Sequence, residues 1–196
     1  MIPSSAMTLK FRPGLRLSDR AFWKLCRANP ELRLERTAKG ALVVMAPVDL
    51  DGGSRSFRIA ARLGKWIEQT DRGVAFDSST GFTLPNDAIR APDAAWMTKD
   101  RWDAVPEGER SKFGHVVPDF VVELRSKSDR LATLRRKMQE YIDQGVRLAW
   151  LIDPRNLTVE IYRPDRPAEI LTRPETLSGE DVLPGFVLDL KGILFD

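Results

Sequence analysis

Charged side chains interrupt an otherwise apolar segment at residues 118–125, which reads PDFVVELR. Side chains in a β-strand alternate between two faces, so Asp119, Glu123 and Arg125 point to the same side of this segment. A carboxylate in an apolar strand is costly unless it meets a metal ion, a cation or several hydrogen-bond donors. The pattern therefore indicates either a catalytic pocket or a structural ion pair.

A metal site at Glu123 needs a second acid, and Asp93 and Asp119 each follow a proline in the same local pattern. Asp119 is on the strand of Glu123, roughly 13 Å away at about 3.3 Å per residue, which is too far for both to bind one ion. Asp93 belongs to a separate predicted strand and can approach. With the carbonyl of Leu124 as a third ligand, these oxygens suit a hard cation, with Mg²⁺ as the default.

Hydrolysis of a phosphodiester bond needs an activated water, neutralised charge and a cation that orients the nucleophile. A divalent metal ion and a lysine together supply all three. Residues 1–40 carry nine Lys and Arg against three acids, and residues 125–147 carry seven against three. Such clusters can bind phosphates, which makes nucleic acid a candidate partner, although solvated helix faces explain the same charge pattern.

Composition removes several other functional classes. Cys26 is the single cysteine and His115 the single histidine, so the chain has neither an internal disulfide nor a Cys/His zinc cluster. Apolar runs are too short for a membrane span, and the first residues lack the pattern of a signal peptide. We expect a cytoplasmic protein with a loose leader over residues 1–7 and one domain over residues 8–196.

The remaining pattern predicts the elements that position these residues, in a mixed α/β or α+β sheet. A strand, a helix and a second apolar strand over residues 117–152 predict a crossover with two parallel strands. The helix of this unit is expected to be capped by Ser126, Ser128 or Asp129. Helices are predicted over 18–29, 54–69 and 131–144, a short helix and loop over 100–114, a hairpin over 31–45, and strands over 74–76, 81–84, 93–97, 117–125, 148–152, 157–163, 170–172 and 187–190.

Four motifs follow one another along the chain: residues 89–96 (IRAPDAAW), 118–126 (PDFVVELRS), 137–141 (KMQEY) and 150–154 (WLIDP). In this order they resemble the motifs of the Uma family of putative restriction endonucleases. The resemblance extends from about Glu31 to Leu190, and the joint order is far more specific than any single motif. It implies the PD-(D/E)XK nuclease fold, a restriction-endonuclease-like mixed sheet flanked by helices, here with an N-terminal hairpin and extra C-terminal strands.

By this resemblance, Asp93 corresponds to the metal-binding aspartate of the family and Glu123 to the acid of the (D/E)XK element. Arg125 occupies the position of the lysine, and an arginine can hold a phosphate but orients water poorly. In such families the lysine is often found on the following helix, where Lys137 is the matching residue. Lys137 is expected at the edge of the apolar stripe, with Tyr141 one turn away to position it.

Two supporting residues leave alternatives open. Glu35, on the first hairpin, matches an acid often seen in the family, and it either joins the site or pairs with Arg33 or Arg36. Lys127 stands where relatives usually carry proline, and it either adds a cation beside Glu123 or faces solvent in its turn.

Three functions follow from these residues. The first is an endonuclease that cleaves DNA with Mg²⁺ or Mn²⁺, with Lys137 or Arg125 beside the scissile phosphate. The second is a catalytically silent nucleic-acid-binding or regulatory module, in which the carboxylates form a buried ion pair. The third is a structural oligomer. The apolar segment 183–188 can pack at a two-fold interface, and a homodimer would suit double-strand cleavage.

Overall fold

The computed structural model describes residues 6–11 and 16–195. The predicted mixed α/β architecture, a sheet flanked by helices, is confirmed. The helices are α1 (Asp19–Ala28), α2 (Leu50–Thr70), α3 (Lys99–Asp103), α4 (Glu107–Arg110) and α5 (Leu131–Asp143). The strands are β1 (Met7–Leu9), β2 (Leu34–Arg36), β3 (Leu42–Val44), β4 (Gly73–Asp77), β5 (Phe82–Thr83), β6 (Ile89–Arg90), β7 (Ala94–Thr98), β8 (Phe120–Leu124), β9 (Leu148–Asp153), β10 (Thr158–Tyr162), β11 (Glu169–Thr172), β12 (Thr176–Ser178) and β13 (Val187–Asp189).

The main sheet has six strands in the order β11-β10-β9-β8-β7-β4. Its central pair, β8 and β9, is parallel and is connected through α5, as the sequence predicts. The other neighbours in this sheet are antiparallel. Every residue of β9 is buried, as expected of an apolar strand that is covered on both faces.

The two faces of the main sheet bury different apolar clusters. Phe120, Val122 and Leu124 of β8 pack on the side of α2 and the C-terminal segment. Val121 packs on the opposite side, with the apolar residues of α5. Because the faces alternate along a strand, Glu123 shares the side of Val121 and therefore faces α5.

A smaller five-stranded sheet, in the order β1-β3-β2-β6-β5, contains the predicted hairpin as β2 and β3. The short strand β6, which the sequence pattern did not reveal, pairs with β2 through Ile89 and Arg36. The chain then passes from β6 directly into β7 of the main sheet. Met7, placed in the predicted leader, belongs to β1 and pairs with β3, whereas residues 1–5 lie outside the described residues.

Helix α2 begins earlier than its apolar periodicity predicts. Asp49 caps it, since the side chain accepts a hydrogen bond from the Gly52 N–H at 2.8 Å, so residues 50–53, which precede the predicted helix over 54–69, form the first turn. The apolar residues of this helix recur at helical spacing, and Ile59, Leu63 and Trp66 among them are buried. Phe57 fits the same spacing but is 74% exposed.

The expected cap of α5 is wrong, because the helix begins after Arg130 and has no side-chain cap. Asp129 instead folds back on Ser126, accepting from its N–H at 2.8 Å and from its hydroxyl at 2.6 Å. Those bonds satisfy the carboxylate within the turn that precedes the helix.

The C-terminal segment is part of the chain's own core. Leu183, Phe186 and Leu188 are buried beneath the main sheet, so the predicted two-fold interface over residues 183–188 is wrong for these side chains. Val187 is the exposed apolar residue of this segment. None of the described helices combines the length and the apolarity that a membrane crossing requires.

A side chain at position 73 is expected to disrupt the pairing of β4 with β7. A Cβ atom on Gly73 would lie 2.1 Å from the Met97 carbonyl oxygen and 2.6 Å from Trp96 Nε1. Gly73→Ala should therefore lower the free energy of unfolding by about 2 kcal/mol or more, as measured by urea denaturation.

Gly64→Ala is the matched control for this substitution. A Cβ atom on Gly64 would meet nothing within 4 Å, and alanine is more favourable than glycine inside a helix by about 1 kcal/mol. This variant should be at least as stable as the parent chain. A similar loss in both variants would contradict the close approach at Gly73.

Candidate active site

The pairing of β7 with β8 brings the carboxylates of Asp93 and Glu123 to neighbouring positions. Ala94 lies opposite Val122 in this antiparallel register. The residue before Ala94, which is Asp93, is therefore adjacent to the residue after Val122, which is Glu123. The N–H of Asp93 donates to the Val122 carbonyl at 3.0 Å, and Asp93 Oδ2 accepts from the Leu124 N–H at 2.8 Å. These two bonds fix the Asp93 side chain beside the end of β8.

Asp119, the rejected alternative to Asp93, lies at the other end of β8. It is buried, with Arg101 Nη1 at 2.7 Å from Oδ1 and the Thr98 N–H donating to Oδ2 at 3.0 Å. This acid is therefore satisfied locally and lies outside the candidate site.

Lys137 joins three elements at the centre of the site. Its Nζ lies 2.7 Å from Glu123 Oε1 on β8 and 2.8 Å from Glu35 Oε1 on β2. Leu134, Met138 and Tyr141 on the same helix are buried against the sheet, and Lys137 lies among them rather than at the edge of the stripe. The ammonium group is thereby held away from water between two carboxylates.

Tyr141 contacts the glutamate more directly than the lysine. Its hydroxyl donates a hydrogen bond to Glu123 Oε1 at 2.8 Å, whereas Lys137 Nζ lies 5.7 Å from the centroid of its ring. Both contacts to Glu123 are therefore made by Oε1. Within the described residues, Oε2 of this carboxylate makes no hydrogen bond or ion pair.

Glu35 joins the site and does not pair with Arg33 or Arg36. Besides Lys137, it is bound by Arg90 Nη1 at 3.0 Å from Oε2 and by the Ala91 N–H at 3.0 Å from Oε1. Arg90 in turn donates from Nε to Glu140 Oε2 at 2.7 Å. Sequence reasoning gave Arg90 no role, although the residue lies within the first of the four motifs.

Arg33 is a second residue that sequence reasoning did not place in the site. Its Nη2 donates to the Ser78 carbonyl at 2.9 Å and lies 3.8 Å from Asp93 Oδ1. Its Nε is buried and has no hydrogen-bond partner among the described residues. The available signal was the alternation of β2, which puts Arg33 on the same face as Glu35.

The other two predicted cations have partners elsewhere. Arg125 Nη1 lies 2.7 Å from Oδ2 of the buried Asp153, and the Arg125 Nε donates to the Asp129 carbonyl at 3.4 Å. Lys127 is 74% exposed and pairs with Asp49 and Asp51 at the start of α2, at 3.0 and 3.6 Å. Neither cation contacts Glu123.

The two buried glutamates of the site, Glu35 and Glu123, differ in pKa. Burial raises the pKa of Glu123 to about 7, with Lys137 opposing this shift and the carboxylates of Asp93 and Glu35 adding to it. Burial also opposes the ionisation of Glu35, but Lys137 and Arg90 outweigh it and lower the pKa of Glu35 to about 2. Glu35 is therefore the ionised counterion of Lys137 and Arg90. Among the described residues, Glu123 has only Lys137 as a nearby cation, which does not offset its burial.

The same balance acts on Asp93 and Lys137. Burial raises the pKa of Asp93, against the hydrogen bond from Leu124 and the charge of Lys137. For Lys137 burial favours the neutral amine, but Glu123 and Glu35 hold its pKa above the usual value, so it is a cation. A charged Lys137 acts through its field and cannot accept a proton.

Asp93, Glu123 and Leu124 line one cavity of about 300 Å³, together with Arg33. Asp93 Oδ1 has only the 3.8 Å contact with Arg33, so each carboxylate keeps one oxygen without a close partner among the described residues. Two carboxylate oxygens without a close cation or hydrogen-bond donor suit a divalent cation, which prefers oxygen ligands.

No group of three or more His, Cys, Asp and Glu side chains in residues 6–11 and 16–195 is arranged to hold a metal ion. Two side chains would therefore hold the ion, and backbone oxygen and water would have to complete its coordination.

The family model described as "Uma2: Putative restriction endonuclease" matches residues 20–191 of the chain. The structure is similar to the crystal structure of a putative nuclease belonging to DUF820 from Anabaena variabilis, with a TM-score of 0.69 and 18% sequence identity. The match covers 84% of this chain and 90% of that chain, and it shows a shared fold. No curated protein matches the chain.

Removal of the buried lysine charge is expected to destabilise the fold. Lys137→Met leaves Glu35 and Glu123 facing each other without their shared cation, which should cost about 3–5 kcal/mol in urea denaturation. Adding Glu35→Gln and Glu123→Gln should recover part of this loss, because the uncompensated charges are then gone.

Lys99→Met is the control, since Lys99 pairs with Asp71 on the surface and both side chains are largely exposed. The urea midpoint of this variant should stay close to that of the parent chain. If Lys137→Met were as mild as Lys99→Met, the buried charge network would not have the energetic role assigned to it.

Proposed function

Because this chain belongs to the Uma2 family of putative restriction endonucleases, we propose that it is a metal-dependent endonuclease that hydrolyses phosphodiester bonds in DNA. One observation carries this proposal. Asp93 and Glu123 converge on one cavity, each with an oxygen free of close partners and a raised pKa, beside a permanently charged Lys137. A bound cation stabilises the ionised form of such buried carboxylates more strongly than it would stabilise an exposed pair.

Asp93 and Glu123 would hold the metal ion, with the Leu124 carbonyl as a third ligand. Mg²⁺ is the default and Mn²⁺ the alternative, since both prefer carboxylate, carbonyl and water oxygens. When bound, such an ion supplies positive charge to the scissile phosphoryl group and makes a water molecule more acidic. The side chains of the protein would orient the ligands and add positive charge beside the phosphate.

Lys137 would supply a second positive charge to the phosphate. Its contact with Glu123 Oε1 also orients that carboxylate, and the Tyr141 hydroxyl holds the same oxygen. Oε2 then remains for the cation. Glu35 would act as a positioning residue, because its ionised carboxylate keeps Lys137 charged in a buried place.

Arg125 and Lys127 have weaker claims to a catalytic role. Asp153 holds the guanidinium of Arg125, and the acids at the start of α2 hold Lys127 at the surface. We therefore assign the catalytic cation to Lys137, and we assign Arg125 to fixing the turn after β8.

A catalytically silent nucleic-acid-binding module is the second candidate function. The observation in its favour is that Lys137 is already neutralised by two carboxylates of its own chain. Calorimetric titration with Mn²⁺ separates the two functions, because a silent module should show no metal binding that depends on Asp93.

Asp93→Asn and Glu123→Gln are each expected to reduce metal-dependent cleavage of plasmid DNA by at least about 100-fold. Loss of a residue that only supports a ligand costs about 10–100-fold, and these residues would be ligands themselves. Gel assays of nicking with Mg²⁺ and with Mn²⁺ measure the effect, and circular dichroism checks that the fold is retained.

Asp100→Asn removes an acid of the same type from the exposed start of α3 and serves as the control. It should cleave as the parent chain does. Undiminished cleavage by both Asp93→Asn and Glu123→Gln would reject the proposed metal site.

Metal binding is also expected to depend on pH. Glu123 is protonated below its raised pKa of about 7, and a carboxylate must lose its proton to bind a cation. The affinity for Mn²⁺ should therefore fall about tenfold for each pH unit below 7, as measured by calorimetry between about pH 5.5 and 8. A flat profile over this range, with the fold intact by circular dichroism, would contradict the role of Glu123 as a ligand.

A further inference from the structure

The cavity that holds the candidate metal site adjoins two further cavities, with which it shares lining residues. A cavity of about 730 Å³ beside α5 shares Ser128, Asp129 and Leu134 with it. A cavity of about 400 Å³ beside α2 shares Asp51 and Arg55 with it. We call the three together the groove, with an α5 end and an α2 end on either side of the carboxylates.

Two exposed arginines line the α5 end, Arg130 and Arg136. Arg136 donates to the Thr133 hydroxyl at 3.1 Å, and Arg130 has no side-chain hydrogen bond or ion pair within the described residues. The acids that line this end are already engaged. Glu35 and Glu140 bind Lys137 and Arg90, and Asp129 binds Ser126.

Among the described residues, four cations and one acid line the α2 end. Arg62 donates to the carbonyl of Lys191 at 2.9 Å and also contacts Asp189, which ties the C-terminal segment to α2. Arg58 lies close to the same segment, since a Cβ atom on Gly192 would be 3.0 Å from Arg58 Nε.

The exposed side chains of Arg58 and Lys191 contact no carboxylate among the described residues. Asp51, the single acid lining this end in the part of the chain described, lies 3.6 Å from Lys127. Both ends of the groove therefore present cations that contact no carboxylate within residues 6–11 and 16–195.

We propose that the groove binds the phosphodiester backbone of DNA on both sides of the metal site, with Arg130 and Arg136 contacting phosphates on one side and Arg58 and Lys191 on the other. The identity of the ligand rests on the proposed function. Exposed arginines and lysines bind phosphates and release condensed counterions, so each contact adds to the salt dependence of binding.

Cations on both sides of the metal site also distinguish cleavage within a DNA strand from removal of its terminal nucleotides. A chain that removes terminal nucleotides needs phosphate contacts on one side of the scissile bond. Cations on both sides suit a strand that continues past the site in both directions. The substrate is therefore an internal stretch of DNA and not a strand end.

The test compares three paired variants of the full chain by fluorescence anisotropy with a labelled DNA duplex and a labelled single strand, without divalent metal, over a range of salt concentrations. The pairs are Arg58→Ala with Lys191→Ala, Arg130→Ala with Arg136→Ala, and, as the control, Lys24→Ala with Arg27→Ala. The control removes the same charge from exposed positions on α1, which line none of the three cavities.

Each groove pair should reduce the slope of log affinity against log salt by about 1.8 for a duplex, which corresponds to two lost phosphate contacts at about 0.9 each. The α1 pair should leave the slope unchanged. If single strands show the larger change, the substrate is single-stranded. A slope change confined to one groove pair, or no larger than that of the α1 pair, overturns the two-sided path.

Covalently closed circular DNA gives a second measurement. The parent chain should bind and cleave it as well as linear DNA of the same sequence, and a requirement for a free end would overturn the inference. Failure of the proposed function looks different, because the groove pairs would then change the salt slope of a chain that cleaves neither substrate.

Discussion

The candidate site is organised around a buried cation, Lys137, and the two carboxylates that contact it. Burying an ammonium group costs several kcal/mol unless close opposite charges replace its water. Glu35 from β2, Glu123 from β8 and the lysine from α5 meet within hydrogen-bonding distance. The smaller sheet, the main sheet and the crossover helix therefore meet at this ammonium group.

The unequal surroundings of the two glutamates give the network its chemistry. Arg90 and the Ala91 N–H bind Glu35, which is therefore ionised and keeps Lys137 charged. Burial raises the pKa of Glu123, which lacks those partners, and the neighbouring Asp93 carboxylate adds to the shift. This imbalance supports the proposed cation site at Asp93 and Glu123.

Local periodicity predicted the main sheet well, because burial on one face leaves a regular pattern in the sequence. The alternation of β8 placed Glu123 opposite the apolar face, and the strand, helix and strand over residues 117–152 indicated the parallel pair. The same reasoning failed where one side chain changed the geometry. Asp49 starts α2 a turn early, and Phe57 is exposed although it fits the helical stripe.

The sequence by itself determined the candidate residues and the strands that carry them, since composition excludes a Cys/His zinc cluster and an internal disulfide and spacing separates Asp119 from Glu123. Only the tertiary structure decided which charged side chains form ion pairs. Arg125 pairs with Asp153, and Glu35 pairs with Lys137. Each choice joins residues far apart in the chain, and it depends on distances that residue order does not encode and on burial that makes an unpaired charge too costly.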